Sequence, residues 1–110
     1  MTDIRSGGIY WVHMDKIRPA VVLTRDVALP YLSNITVAPI FTKVRGLRTE
    51  VIVDERNGLD HESAVNLDNV QTVSRTSVLD EIGFLTFRQK RELAWALVLA
   101  FDLEIRLRDI

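Results

Sequence analysis

The chain has 110 residues, a net charge of −1, no cysteine and two histidines. That is enough for one buried core, but it excludes a disulfide framework and a thiolate zinc site. His13 and His61 are too far apart to read as a metal cluster, the first residues lack a signal-like apolar run, and the apolar stretch Leu93 to Phe101 is too short to cross a bilayer, so a single soluble, cytoplasmic domain without metal or cofactor is expected.

Charge is unevenly spread along this chain. Through Arg48 there are seven basic and three acidic residues, a net of +4, and the remainder carries seven and twelve, a net of −5. A basic first half suits an anionic ligand. Gly7-Gly8 opens an aromatic and β-branched run, Ile9 to Met14, which reads as a first strand. The short link Asp15-Lys16-Ile17 predicts a hairpin into Arg18-Pro19-Ala20-Val21-Val22-Leu23. Proline keeps Arg18 extended and cannot donate to a ladder, which predicts that the arginine stands at a strand start on the rim of a sheet. Residues 20 to 23 are apolar without alternation, the pattern of a strand covered on both faces.

Leu29 to Asn34 reads as a loop. Ile35 to Phe41 is a third strand whose internal Pro39 predicts an edge or a bulge. Thr42 to Arg48 is a basic loop containing Gly46, and Thr49 to Val53 is a further strand. Asp54 to Leu59 turns the chain, with Asn57-Gly58 able to supply the positive φ of a tight turn. Ser63 to Val70 alternates apolar and polar, which predicts one half-buried strand with Asn66 and Asp68 on a common face. Gln71 to Arg75 continues or pairs with it, and a short extended piece is expected around Ile82 to Leu85.

The last segment changes period. Thr86-Phe87-Arg88-Gln89 fits a capping box, and Leu93, Ala96, Leu97, Ala100 and Phe101 recur at helical spacing, which predicts a helix over 86–103 with one face on the sheet. Its apolar stripe is wide enough to expect a second subunit over Trp95 or Leu99. Strict alternation from Leu103 to Arg108 suggests a short extended tail. The fold class expected is mainly β (α+β), a small barrel or curled sheets of about six or seven short strands with a C-terminal helix.

Gly8-Ile9-Tyr10-Trp11-Val12, Arg18-Pro19-Ala20-Val21-Val22-Leu23 and Val37-Ala38-Pro39-Ile40-Phe41-Thr42, with Gly46 and Glu50-Val51 after them, resemble the MazF/PemK toxin family in order and spacing. Ala64 to Val70, Thr72-Val73 and Ile82-Gly83 before a terminal helix resemble it further. The resemblance covers residues 7 to 103. It implies an SH3-like barrel and a homodimer acting as a metal-independent endoribonuclease on single-stranded RNA, held inactive by a MazE-like antitoxin. It implies catalytic roles for Arg18, before the proline of the second strand, and Thr42, at the end of the third. The first loop is shorter than in many members, and the Arg-x-Asp pair of one branch stands here as Asn66 and Asp68.

Metal-free RNA cleavage uses the neighbouring 2′-hydroxyl as nucleophile and needs a proton acceptor, charge stabilisation and a proton donor. Arg18 suits the second need because its planar fork holds two phosphate oxygens. A guanidinium holds its proton too firmly to serve as a base, so Asp68 is the chemically easier acceptor. Lys16, Lys43, Arg45 and Arg48, with Asn66 beside them, are the candidate RNA-binding residues. Trp11 or Tyr10 could stack a base, although one of them should be core. Two other readings are a non-catalytic gyrase poison like CcdB, and an inactive RNA- or protein-binding barrel. The ending Arg108-Asp109-Ile110 lacks the Trp-Gly-Ile of the former, and the latter need not keep Arg18 with Thr42.

Overall fold

The computed structural model describes residues 3–105. In chain order these form β1 (Gly8–His13), β2 (Ile17–Val22), β3 (Asn34–Phe41), β4 (Glu50–Val53), β5 (Ser63–Asn66), β6 (Gln71–Ser74), β7 (Val78–Phe84) and the helix α1 (Phe87–Ala100). The class is mainly β, as expected: a curled, barrel-like sheet of strand order β4-β5-β3-β2-β1-β7, with β6 also on β3 and α1 laid across it.

β1 and β2 form the expected antiparallel hairpin, with Trp11 opposite Pro19 and Val12 opposite Arg18. Ala20, Val21 and Val22 are all fully buried because the sheet is covered on both faces. Val21 joins Ile9, Ala38, Ile40, Val51 and Val65 beneath the helix. Ala20 and Val22 join Tyr10, Val12, Ile35 and Val37 on the opposite face. A strand with a core on each side has no polar face to alternate, which is why its sequence reads as an unbroken apolar run.

β3 is a central strand and not the edge that Pro39 suggested. Its first half lies between β2 and β6, and its last residues, Ile40 and Phe41, pair with Val65 and Ala64 of β5. The single strand expected over Ser63 to Val70 is broken: β5 ends at Asn66, whose side-chain oxygen accepts the Asp68 amide at 2.9 Å and turns Leu67–Asn69 into a short 3-10 turn. Beyond this jog β6 continues antiparallel along β3. Asn66 is buried while Asp68 is exposed, so the two do not share a strand face. β7 starts at Val78, earlier than its sequence suggested.

The capping box forms as expected. Thr86 Oγ1 accepts the Gln89 amide at 3.1 Å, and Gln89 Oε1 accepts the Thr86 amide at 2.9 Å. Ala96 is buried, with Leu93, Leu97 and Ala100 partly so, but Phe101 lies beyond the last helical turn and stays exposed. Residues 103–105 form no strand, and the rest of the expected extended tail lies outside the described residues.

One polar node ties the helix to the sheet. Gly58 takes the expected positive φ of 91°, and Gly83 passes so close to the Asn57 carbonyl that a Cβ there would clash with backbone. Buried Asn57 donates to Phe84 O at 3.0 Å and to Gln89 Oε1 at 2.7 Å, while its Oδ1 accepts the Asp54 amide at 3.1 Å and Gln89 Nε2 at 3.1 Å. Asn57→Ala strands several of these groups, so urea unfolding should show a loss of about 2–4 kcal/mol, against which a shift below about 1 kcal/mol would count.

Candidate functional site

The site begins where the sheet separates. The β2–β3 ladder ends with Ala20 opposite Pro39, and β3 then pairs with β5. Leu23 N donates to Thr36 O, and in this register the β2 donor due to face β3 after that of Val21 is that of Pro19, which has no N–H, so Ile17-Arg18-Pro19 and Phe41-Thr42-Lys43 diverge and leave a wedge between them. A pocket of about 520 Å³ fills it.

Six of the residues singled out in the sequence, Lys16, Arg18, Thr42, Lys43, Arg45 and Asn66, line this pocket together. Arg48 is exposed on the same basic loop but is not a lining residue. Asp68 does not line it either; its Oδ2 accepts the Thr49 hydroxyl at 2.6 Å. Sequence reasoning missed Asp15, Phe41, Glu50 and Asn69. The signals available were an acid in the first loop, an aromatic beside Thr42, an acid closing a glycine-containing loop, and an amide beside Asp68.

Arg18 is held on two sides. Its guanidinium carbon stands 5.0 Å over the centre of the Phe41 ring, a cation–π geometry. Its Nη2 donates to Asp15 Oδ2 at 3.0 Å and Oδ1 at 3.2 Å, and Nε donates to Oδ1 at 3.3 Å. The arginine side chain is 17% exposed and that of Asp15 is 73% exposed, so the carboxylate approaches the fork from the solvent side. The hydrogen bond from Arg18 holds the Asp15 carboxyl below the usual carboxylate range. Because the folded value is lowered, this pair stabilises the hairpin above the ordinary carboxylate pKa and is lost as pH falls through the lowered one. Geometrically, Asp15 offers the fork two oxygens, as a phosphate does.

Glu50 orders the basic loop. Its Oε1 accepts the backbone amides of Arg45 and Leu47, each at 3.1 Å, and bends the chain around Gly46 at φ 74°. Lys16, Lys43, Arg45 and Arg48 are exposed, and none forms a salt bridge among the described residues. The wedge therefore joins a held guanidinium, a hydroxyl and exposed cations, a set suited to a phosphodiester. Among the described residues no cluster of three metal-ligating side chains occurs, and no helix is long and apolar enough to cross a membrane.

Residues 5–101 match the family of PemK-like, MazF-like toxins of type II toxin-antitoxin systems, and the chain belongs to that family. It is 49% identical over 96 residues to Endoribonuclease MazF3 of Mycobacterium tuberculosis strain H37Rv, spanning 87% of this chain and 93% of that one. The solved Mycobacterium tuberculosis toxin MazF-mt6 is 48% identical, with a TM-score of 0.87 over 89% of this chain and 99% of the toxin. An endoribonuclease solved in complex with its cognate antitoxin, from mycobacterial species, superposes with a TM-score of 0.85 over 94% of this chain and all of its own; at 19% identity it attests the fold.

An exposed ion pair is weak and readily exchanged for another anion. Asp15→Asn should thus tighten binding of a non-cleavable 2′-O-methyl oligoribonucleotide by about two- to fivefold at low salt. Weaker binding in an anisotropy titration would show that Asp15 helps the fork and does not compete for it.

Proposed function

We propose that this MazF-type toxin cuts single-stranded RNA, messenger RNA foremost, at a short sequence and without metal, so that translation and growth stop until a MazE-like antitoxin binds. The observation that supports this reading is the convergence of Arg18 and Thr42 on one basic wedge. In the reaction the 2′-oxygen bonds to phosphorus and the P–O5′ bond breaks. The 2′-hydroxyl proton goes to a base, and a proton is delivered to O5′, leaving 2′,3′-cyclic phosphate and 5′-hydroxyl ends.

Arg18 stabilises the negative charge of the pentacoordinate phosphorus and is placed to protonate the leaving oxygen; charge stabilisation of this kind is worth about 10²–10³ in rate. Thr42 hydrogen-bonds another phosphate oxygen or orients the nucleophile. Asp68, next to the lining residue Asn69, is the carboxylate assigned to proton acceptance, which requires its hydroxyl bond from Thr49 to yield. Lys16, Lys43, Arg45 and Arg48 hold flanking phosphates, and Asn66 lies at the pocket floor.

The antitoxin is expected to lay acidic and apolar residues along the same groove, as charge complementarity requires. The homodimer is expected to cover the helix face on which Trp95 is 67% and Leu99 48% exposed. Sedimentation at micromolar concentration should then give twice the chain mass, and a monomeric mass would contradict it.

Purified protein incubated with long single-stranded RNA and excess chelator should give discrete cuts bearing 5′-hydroxyl ends. Arg18→Ala should lower kcat by about 10²–10³ and Arg18→Lys should fall well short of full activity, because an ammonium lacks the fork. Asp68→Asn should lower kcat by about 10²–10⁴ with KM nearly unchanged. Intact RNA from the folded, antitoxin-free protein would sink the reading in favour of a non-catalytic poison or binding module.

A further inference from the structure

Beside the wedge lies a second pocket of about 360 Å³ that the reaction above does not use. The two pockets share Pro19, Ile40 and Thr42, so they adjoin along one continuous surface. Its floor follows from strand register. Trp11 and Pro19 are partners across β1 and β2, on the same sheet face as the Ile9, Val21 and Ala38 row. Ile40 alternates onto that face as well. Fully buried Tyr10 points the other way, and Trp11, outside the cluster packed beneath the helix, is 43% exposed.

Leu59 and Ile82 supply an apolar wall, and exposed Asp60, next to exposed His61, supplies a carboxylate at the rim, while Glu81 stands opposite Tyr10 in the β1–β7 register. An indole face between apolar walls suits a flat aromatic heterocycle, since base–aromatic stacking needs only a π-face. A carboxylate on the rim repels phosphate and can only accept hydrogen bonds, which favours an amino edge such as that of cytosine N4. The wedge is basic and the neighbouring rim carries this carboxylate, so backbone and base are sorted between them.

We propose that this pocket takes one nucleobase bearing an exocyclic amino group, from a nucleotide flanking the cleaved phosphate, stacked on Trp11 with its amino group donated to Asp60. The inference rests on the ribonuclease reading and assigns Trp11 and Asp60 to substrate selection.

Once the cleavage sequence has been mapped with the unaltered protein, each nucleotide flanking the cut is replaced in turn by an abasic residue. At one position the native KM should rise by about 5- to 150-fold with kcat nearly constant. In Trp11→Leu the KM for the intact oligonucleotide should already be raised, and the abasic change should add nothing. Equal abasic penalties in the two proteins would overturn the proposal.

A second variant guards against a fold defect in Trp11→Leu. Replacing the amino-bearing base at that position with uracil or hypoxanthine should raise the native KM, and in Asp60→Asn this preference should shrink severalfold. An undiminished preference overturns the assignment. No cleavage by the unaltered protein sinks the ribonuclease reading and this inference together, whereas cleavage without coupling to Trp11 removes the pocket alone.

Discussion

The structure depends on hydrogen bonds that two prolines cannot make. In a continuous sheet β2 and β3 would zip to their ends, with Arg18 opposite Phe41 and Ile17 opposite Thr42 across a closed ladder. Pro19 removes the donor with which that pairing would continue, Pro39 lacks one on the other side of β3, where its partner changes from β6 to β5, and β3 satisfies its last residues on β5. The divergence is fixed in place because Val21 and Ala20, just inside the split, are locked into cores on opposite faces. An opening next to two packed clusters is a rigid opening.

Within it, charge is arranged by contacts of different strength. The Phe41 ring and Asp15 together give the Arg18 fork one orientation, while the exposed side of that arrangement keeps it exchangeable. Glu50 does for the basic loop what no side-chain cation could do for itself: it uses one oxygen to collect two backbone amides, so the loop carries its charges on a defined bend. A held guanidinium with exposed lysines around it fits a ligand whose reacting phosphate must be held in one geometry while its neighbours are held only by charge.

The apolar surface has its own logic. The Asn57–Gln89 node anchors the start of α1 over the core, and the helix spends only one stripe on it. Phe87, Trp95, Leu99 and Phe101 remain exposed, more aromatic area than a solvated helix needs. Trp11, beside the polar wedge, is exposed for a different reason: it shares the face of buried Ile9, but the cluster beneath the helix stops short of it, while Tyr10 is drawn into the core on the opposite face, where its hydroxyl accepts the Arg5 amide at 2.9 Å.

Much of this was legible in the sequence wherever a local rule acts alone. Pro19 sets Arg18 beside a strand, the apolar run 20–23 needs two covered faces, Asn57-Gly58 makes a turn, and Thr86 with Gln89 caps a helix; each is a short-range matter of φ, donors or periodicity. The same residues carried the family resemblance and brought Arg18 and Thr42 forward as a pair. Pro39 misled as an edge signal because a strand may change partners in mid-sheet, which depends on where β5 lies. The Ser63–Val70 alternation misled because Asn66 bonds to its own backbone and ends the strand. Proximity of Arg18, Phe41, Glu50 and Asn66, the capture of Arg18 by Asp15, and the Trp11 pocket were settled only by tertiary structure. Residues far apart in the chain meet through strand register and curl, and these are set by the whole core packing at once.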